Sequence, residues 1–287
     1  MNAAAPAIKG TGARPRSVLP GFSLAMGITL GYVGLVVLLP LAMLSWRAAG
    51  LGLEDFWRIV SGPRAVASYL LTLRAAFFAT ILTVVYGLLM AWVLVRYRFP
   101  GRRLIDAAMD LPFALPTAVA GIALTALYAK NGWLGGPLAE VGISVAYTQI
   151  GVAIAMAFVS VPFVVRTVQP VLEDLDPEVE EAARSLGATD WQVFRRVILP
   201  SITPALLAGG SLAFARCLGE FGAIIFIAGN LPFKTEITAL LIFIRLEEYD
   251  YPAAAAIALV VLGSALAMLL VINTLQGLNR RWAETRG

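Results

Sequence analysis

The sequence predicts an all-α membrane protein, a polytopic bundle of about six transmembrane helices, and three observations carry that prediction. First, 59% of the 287 residues are hydrophobic and only 14% are charged, and the mean hydropathy of +0.81 exceeds that of ordinary water-soluble domains. Second, charge-free runs occupy 17–46, 75–95, 111–129, 141–165 and 251–279. The shortest has 19 residues, and at about 1.5 Å per helical residue each comes close to or exceeds a hydrocarbon core of about 30 Å. Third, a run at 204–228 is interrupted by charge only at Arg216 and Glu220.

The first run follows Lys9, Arg14 and Arg16, as a secretory signal would. It is twice the length of a signal core of roughly 7–15 residues and has no small-x-small exit, so it reads as a retained membrane helix. With the N-terminus inside, the inner segments hold fourteen Lys and Arg and the outer segments seven. That asymmetry puts both termini in the cytoplasm. The net charge of +4 is therefore topology rather than a nucleic-acid footprint.

What is missing removes several chemistries. There is no histidine, and the single cysteine, Cys217, lies in an apolar run, so disulfides, zinc clusters and Ser-His or Cys-His nucleophile pairs are excluded. The nearest approach to a phosphate loop, Lys234-Thr235, has Phe233 and Ala228 where that loop requires glycine. The chain is not expected to be an enzyme.

Between the fourth run and the run at 204–228 stands a polar insert with a clear local grammar. Asp176-Pro177 is an N-cap followed by a first-turn proline, and Glu178, Glu180 and Glu181 fill the turns where the helix dipole favours negative charge. Arg184 comes late, and Gly187 can take the left-handed conformation that ends a helix. Thr189 with Gln192 is a capping-box pattern for a second helix, which Pro200 is expected to end, with Thr203-Pro204 starting the next span. Helix, tight turn, helix also describes a DNA-binding motif, but 171–200 carries seven acidic residues against three basic ones, the wrong balance for phosphate contacts. Ala182, Ala183, Leu186, Trp191, Phe194, Val197 and Ile198 recur at helical spacing and predict a packing face. Its partner is another protein or the chain's own helices.

Glu181-Ala182-Ala183, then Gly187, then Val197-Ile198-Leu199-Pro200 resembles the signature loop of the membrane subunits of bacterial ABC importers, with valine in place of isoleucine at its end. In that family the loop is a coupling helix seated in a cleft of a separate ATPase. The resemblance implies a type I ABC importer permease fold, with ATPase-coupling residues Glu181, Ala182, Ala183, Gly187, Leu199 and Pro200. "DLPFALPTAVAG" (110–121), "VPFVVRTVQPVLEDL" (161–175), "FARCLGEFGAIIFIAGN" (214–230) and "KTEITALLIFIRLEEYDYPAAAAIA" (234–258) are similar to the T-type permeases of sulfate/thiosulfate importers. The Gly-Glu-Phe-Gly element is shared with molybdate permeases, which keeps another oxyanion as the alternative substrate.

This resemblance implies a multi-pass protein of the bacterial inner membrane whose partners are a W-type sulfate permease, two copies of an ATP-binding subunit and a periplasmic sulfate/thiosulfate-binding protein. It implies no cofactor on this chain, with ATP used by the partner subunit. Residues 1–17 read as a flexible cytoplasmic tail, 18–67 as the first transmembrane helix and a periplasmic loop, 68–276 as the permease core with its coupling loop at 171–203, and 277–287 as a cytoplasmic tail.

Two intramembrane features are candidates for an anion pathway or a subunit interface. Arg216 and Glu220 stand four apart, so on one helix they share a face and can neutralise each other. Charge at that depth also marks functional positions. Asp110, Pro112 and Pro116 open the third run, where prolines can free backbone amides toward an anion or merely kink a helix. A secondary transporter would show an inverted repeat and coupling carboxylates; Glu220 is the one acid expected at mid-depth, and no repeat is visible. An anion channel would have no need of an ATPase-docking loop.

Overall fold

The computed structural model describes residues 22–284, helices joined by turns, with no strand among them. The tail read at 1–17 lies outside the described residues, as does the end of the C-terminal tail at 285–287. Two compact units divide the chain, Met1–Trp46 and Arg47–Gly287. The first contains most of α1 (Phe22–Ala49), which passes through one π-type turn at Gly34–Leu38.

The second unit is built around three long helices: α2 (Pro63–Arg96), α3 (Gln149–Glu173) and α4 (Asp190–Leu218). With α1 and Tyr251–Met268 they make five helices long and apolar enough to cross a bilayer. The predicted span at 111–129 is broken. Leu115 is extended (ψ 136°), as the residue before a proline prefers, so the run at 111–129 becomes Leu111–Ala114 and a second helix, Thr117–Tyr128. Twelve residues reach about 18 Å, short of the hydrocarbon thickness.

Two other boundaries differ from the sequence expectation. The run at 141–165 becomes helical only at Gln149, after a turn in which Tyr147 has φ 64°. The run at 204–228 is not one helix: α4 ends at Leu218 and only Ile224–Ile227 turns helical again. Irregular backbone is tolerated at that depth because it is enclosed in protein; Ala223, Ile224, Ile227 and Ala228 are fully buried, and the Tyr147 N–H donates to the Ile227 carbonyl at 2.7 Å.

Lipid tails compete for apolar surface, so helices in a bilayer associate through close backbone approach and a few buried polar bonds. Along α2 the buried residues Ala75, Ala76, Ala79, Thr83, Gly87 and Ala91 are nearly all small. Thr83 meets Ser160 on α3 at 3.0 Å between hydroxyl oxygens, and Gly87 packs directly on Val164. Two ion pairs fix the ends of α2. At the first pole Arg64 binds Glu236 through two bonds of 2.8 and 2.6 Å; at the second Arg96 binds Glu180.

A Cβ added at Gly87 would sit 2.8 Å from Val164 Cβ, whereas at Gly263 it would meet nothing within 4 Å. Gly87→Val is therefore expected to lower stability by about 1–3 kcal/mol through overpacking, and Gly263→Ala to leave it unchanged. Unfolding of the two variants in detergent, followed by circular dichroism, distinguishes them; equal midpoints would remove the α2–α3 contact as a determinant of the fold.

Candidate functional site

The segment at 176–200 folds as its local chemistry dictates. Asp176 caps the short helix Pro177–Ser185, its carboxylate accepting the Glu178 N–H at 2.9 Å. At the far end Gly187 has φ +84°, a left-handed backbone that an L side chain strains against. There the Gly187 N–H donates to Arg184 and the Ala188 N–H to Ala183, at 2.9 and 3.1 Å, which satisfies the last carbonyls. Thr189 and Gln192 then make a reciprocal capping box at the start of α4.

Pro200 does not end this second helix. The chain passes through a π-type turn at Phe194–Ile198, with the Leu199 N–H bonded five residues back to Phe194, and continues helical to Leu218. A proline has no N–H to give and its ring crowds the preceding turn. The wider π turn just before Pro200 lets the helix run on, and Pro204 lies inside α4 rather than at its start.

The apolar residues of this segment divide into two sets. Val193 and Ile198 are fully buried, and Ala183, Phe194, Val197 and Leu199 pack around the same cluster. Phe194 meets Trp92 of α2 edge-on at 5.5 Å, and Arg96 lies 5.2 Å above the Trp92 ring. Val179, Ala182, Leu186 and Trp191 are exposed, Leu186 at 89%. Glu181, Gly187 and Pro200 are also exposed.

The carboxylate that anchors the hairpin is Glu180, the neighbour of the one the sequence singled out. Its side chain is only 7% exposed and pairs with Arg96, with Arg184 at 3.8 Å; Arg184 reaches Asp190 at 3.2 Å across the turn. Its spacing from Ala183 and Arg184, three and four residues on, was the available signal.

At the same pole Arg166, in the interior of α3, uses its whole guanidinium. Nε and Nη2 donate to Asp110 at 2.8 and 2.7 Å, Nη1 donates to Asp106 and Gln169 at 2.6 and 2.9 Å, and Nη2 also reaches the Asp106 carbonyl at 2.9 Å. The guanidinium beside Asp110 holds that carboxyl below its ordinary pKa. A depressed carboxylate contributes stability above its unfolded pKa and loses it only as pH falls through the lower folded value, so this contact is constant around neutrality. Around Pro112 and Pro116 several amides are bonded within their own turns: Phe113 and Ala114 to Asp110, Leu115 to Leu111, and Val119 and Ala120 to Pro116.

Arg216 and Glu220 do pair, at 2.7 Å, with Glu220 1% exposed. Glu220 stands beyond the end of α4, and its carboxylate also accepts the Ala223 N–H at 2.8 Å, holding the irregular segment. Glu220 is not the lone buried acid of the unit, because Glu236 is equally enclosed beside Arg64. Next to that pair the Ser68, Thr72 and Thr238 hydroxyls form a buried cluster. Among the described residues there is no grouping able to hold a metal ion.

The unit is thus a set of long apolar helices with a capped polar hairpin between the third and the fourth. Residues 83–283 match the family described as binding-protein-dependent transport system inner membrane component, and the chain belongs to that family. It is 59% identical over 261 residues to the sulfate transport system permease protein CysT of Escherichia coli (strain K12), covering 91% of this chain and 94% of that one. The protein of the same name from Synechocystis sp. is 49% identical over 257 residues, 90% of each chain. Among solved structures, a bacterial ABC transporter involved in the import of alginate superposes with a TM-score of 0.75 at 17% identity, over 89% of this chain and 95% of that one. An amino acid ABC transporter superposes with a TM-score of 0.55 at 20% identity, over 79% of this chain and 99% of that one. At such identities the likeness is one of fold, that of type I ABC importer permeases.

Replacing Arg96 by alanine leaves the Glu180 carboxylate buried with one distant cation. The expected loss is about 3 kcal/mol, with faster proteolysis at 177–190; adding Glu180→Gln should recover most of it. If Arg96→Ala leaves both the unfolding midpoint and the cleavage rate unchanged, the pair does not anchor the hairpin.

Proposed function

We propose that the chain is the transmembrane permease subunit of an ATP-driven sulfate/thiosulfate importer, forming half of its translocation pathway and docking on a separate ATPase. The observation that carries the docking role is the hairpin: its inner face is fixed to α2 and its outer face leaves Val179, Ala182, Leu186 and Trp191 open. An apolar patch on a rigid support is what a partner surface needs. Sulfate as substrate is supported by the 59% identity to a sulfate transport permease. A W-type permease, two ATPase copies and a periplasmic sulfate/thiosulfate-binding protein complete the assembly. The excess of Lys and Arg on alternate segments supports an inner-membrane orientation with both termini cytoplasmic, which makes the pole of Arg96 and the hairpin the inner one. ATP acts on the partner, and this chain binds no cofactor.

The coupling residues of this reading are Glu181, Ala182, Ala183, Gly187, Leu199 and Pro200. Gly187→Val should strain the left-handed turn, leaving membrane abundance intact while sulfate uptake falls at least tenfold. Normal uptake with normal stimulation of the ATPase by the binding protein would sink the docking role.

For the anion pathway we assign Arg216, held by Glu220. Arg216→Gln alone leaves a buried carboxylate without its cation, which lowers abundance. Combining it with Glu220→Gln keeps a carbonyl acceptor for the Ala223 amide and restores abundance, but not uptake, because a doubly charged anion then crosses a low-dielectric region without its cation. Wild-type uptake by an abundant double variant removes Arg216 from the pathway.

A further inference from the structure

Just beyond the end of α2, Arg98, Phe99, Gly101, Arg102 and Arg103 line an open cavity of about 340 Å³. Among the described residues, none of its three arginines has an ion-pair partner. Asp106 stands at the right spacing to neutralise Arg102 or Arg103, four and three residues on, but its carboxylate is taken by Arg166. Three other arginines of this pole are matched, Arg96 by Glu180, Arg166 by Asp106 and Asp110, and Arg184 by Asp190, while Arg195 and Arg196 are exposed and lie outside the cavity. Three positive charges therefore converge on one cavity without compensation.

The residues that flank this lining in the chain are apolar and exposed. Tyr97 is 57% exposed, Leu104 75% and Ile105 37%, so the segment that follows the span presents cationic and apolar side chains together. Its place at the end of a membrane-spanning helix puts it at headgroup level. Guanidinium groups grip phosphate through paired N–H donors, and amphipathic segments of this kind lie in the interface with their apolar side in the acyl region. We propose that this cavity is a headgroup site for an anionic phospholipid, the phosphodiester held by Arg98, Arg102 and Arg103 and the acyl chains lying along Tyr97, Leu104 and Ile105. A free phosphate would fill the charge but leave the apolar border unused.

The test is native mass spectrometry of the full chain, in the complex with which it purifies, titrated with dioleoylphosphatidylglycerol or dioleoylphosphatidylcholine. The wild type is expected to retain one phosphatidylglycerol with at least tenfold preference. Each arginine changed to glutamine should weaken retention roughly fivefold, and all three together about 100-fold. Arg195→Gln with Arg196→Gln, which removes two exposed charges of the same pole that do not line the cavity, should leave retention unchanged. The single variants decide the matter if the triple variant does not fold, and the wild-type preference requires no variant at all. The proposal fails if the wild type does not distinguish the two lipids, if the Arg195/Arg196 change is equally damaging, or if the triple variant keeps the preference. It fails too if inorganic phosphate at about 50 mM displaces the lipid, which marks a simple anion site, or if added ATPase subunit expels it, which marks a protein contact.

Discussion

Charge neutrality inside a low-dielectric medium is the constraint on which the rest of this fold hangs. An ion moved from water into such surroundings loses several kcal/mol unless a counter-ion and hydrogen bonds meet it. Glu180, Glu220 and Glu236, the three acids enclosed by protein among the described residues, each hold an arginine, and Arg166 gathers two aspartates. Three of these contacts join residues far apart in the chain: Arg64 to Glu236 across 172 positions, Arg96 to Glu180 across 84, and Arg166 to Asp110 across 56. A shift of α2 along its axis would break pairs at both of its ends, so the pairs set its register as well as its neutrality.

Within that frame, small side chains let α2, α3 and α4 approach closely, and buried hydroxyls supply the few polar bonds between them. The hairpin at 176–200 is tied to α2 by an ion pair and an aromatic contact, while α4 leads from it as one continuous helix of 29 residues. Just past the far end of that helix lies Glu220, holding both Arg216 and the irregular buried segment. Hairpin and buried segment are thus joined by a single helix, because the π turn at 194–198 keeps it unbroken where Pro200 would otherwise interrupt it.

Local grammar was legible wherever the deciding atoms are neighbours in sequence. Asp176 as a cap, Gly187 as a left-handed terminator and Thr189 with Gln192 as a capping box all act within five residues, and composition sufficed for the membrane class. The same local rules misplaced the end at Pro200 and the single helix over 204–228. A π turn can absorb a proline, and an apolar run does not reveal whether its backbone is enclosed by other segments.

The sequence by itself therefore determined that this chain is a helical membrane protein with a capped polar hairpin, since periodicity, caps and hydropathy are properties of short stretches. Only the tertiary structure decided that Asp110 serves Arg166, that Glu180 rather than Glu181 is the buried anchor, and that Arg98, Arg102 and Arg103 are left without counter-ions. Which charges meet depends on how helices distant in the chain are packed, and Coulomb attraction in a low-dielectric interior acts through that separation in space, to which spacing along the chain is blind.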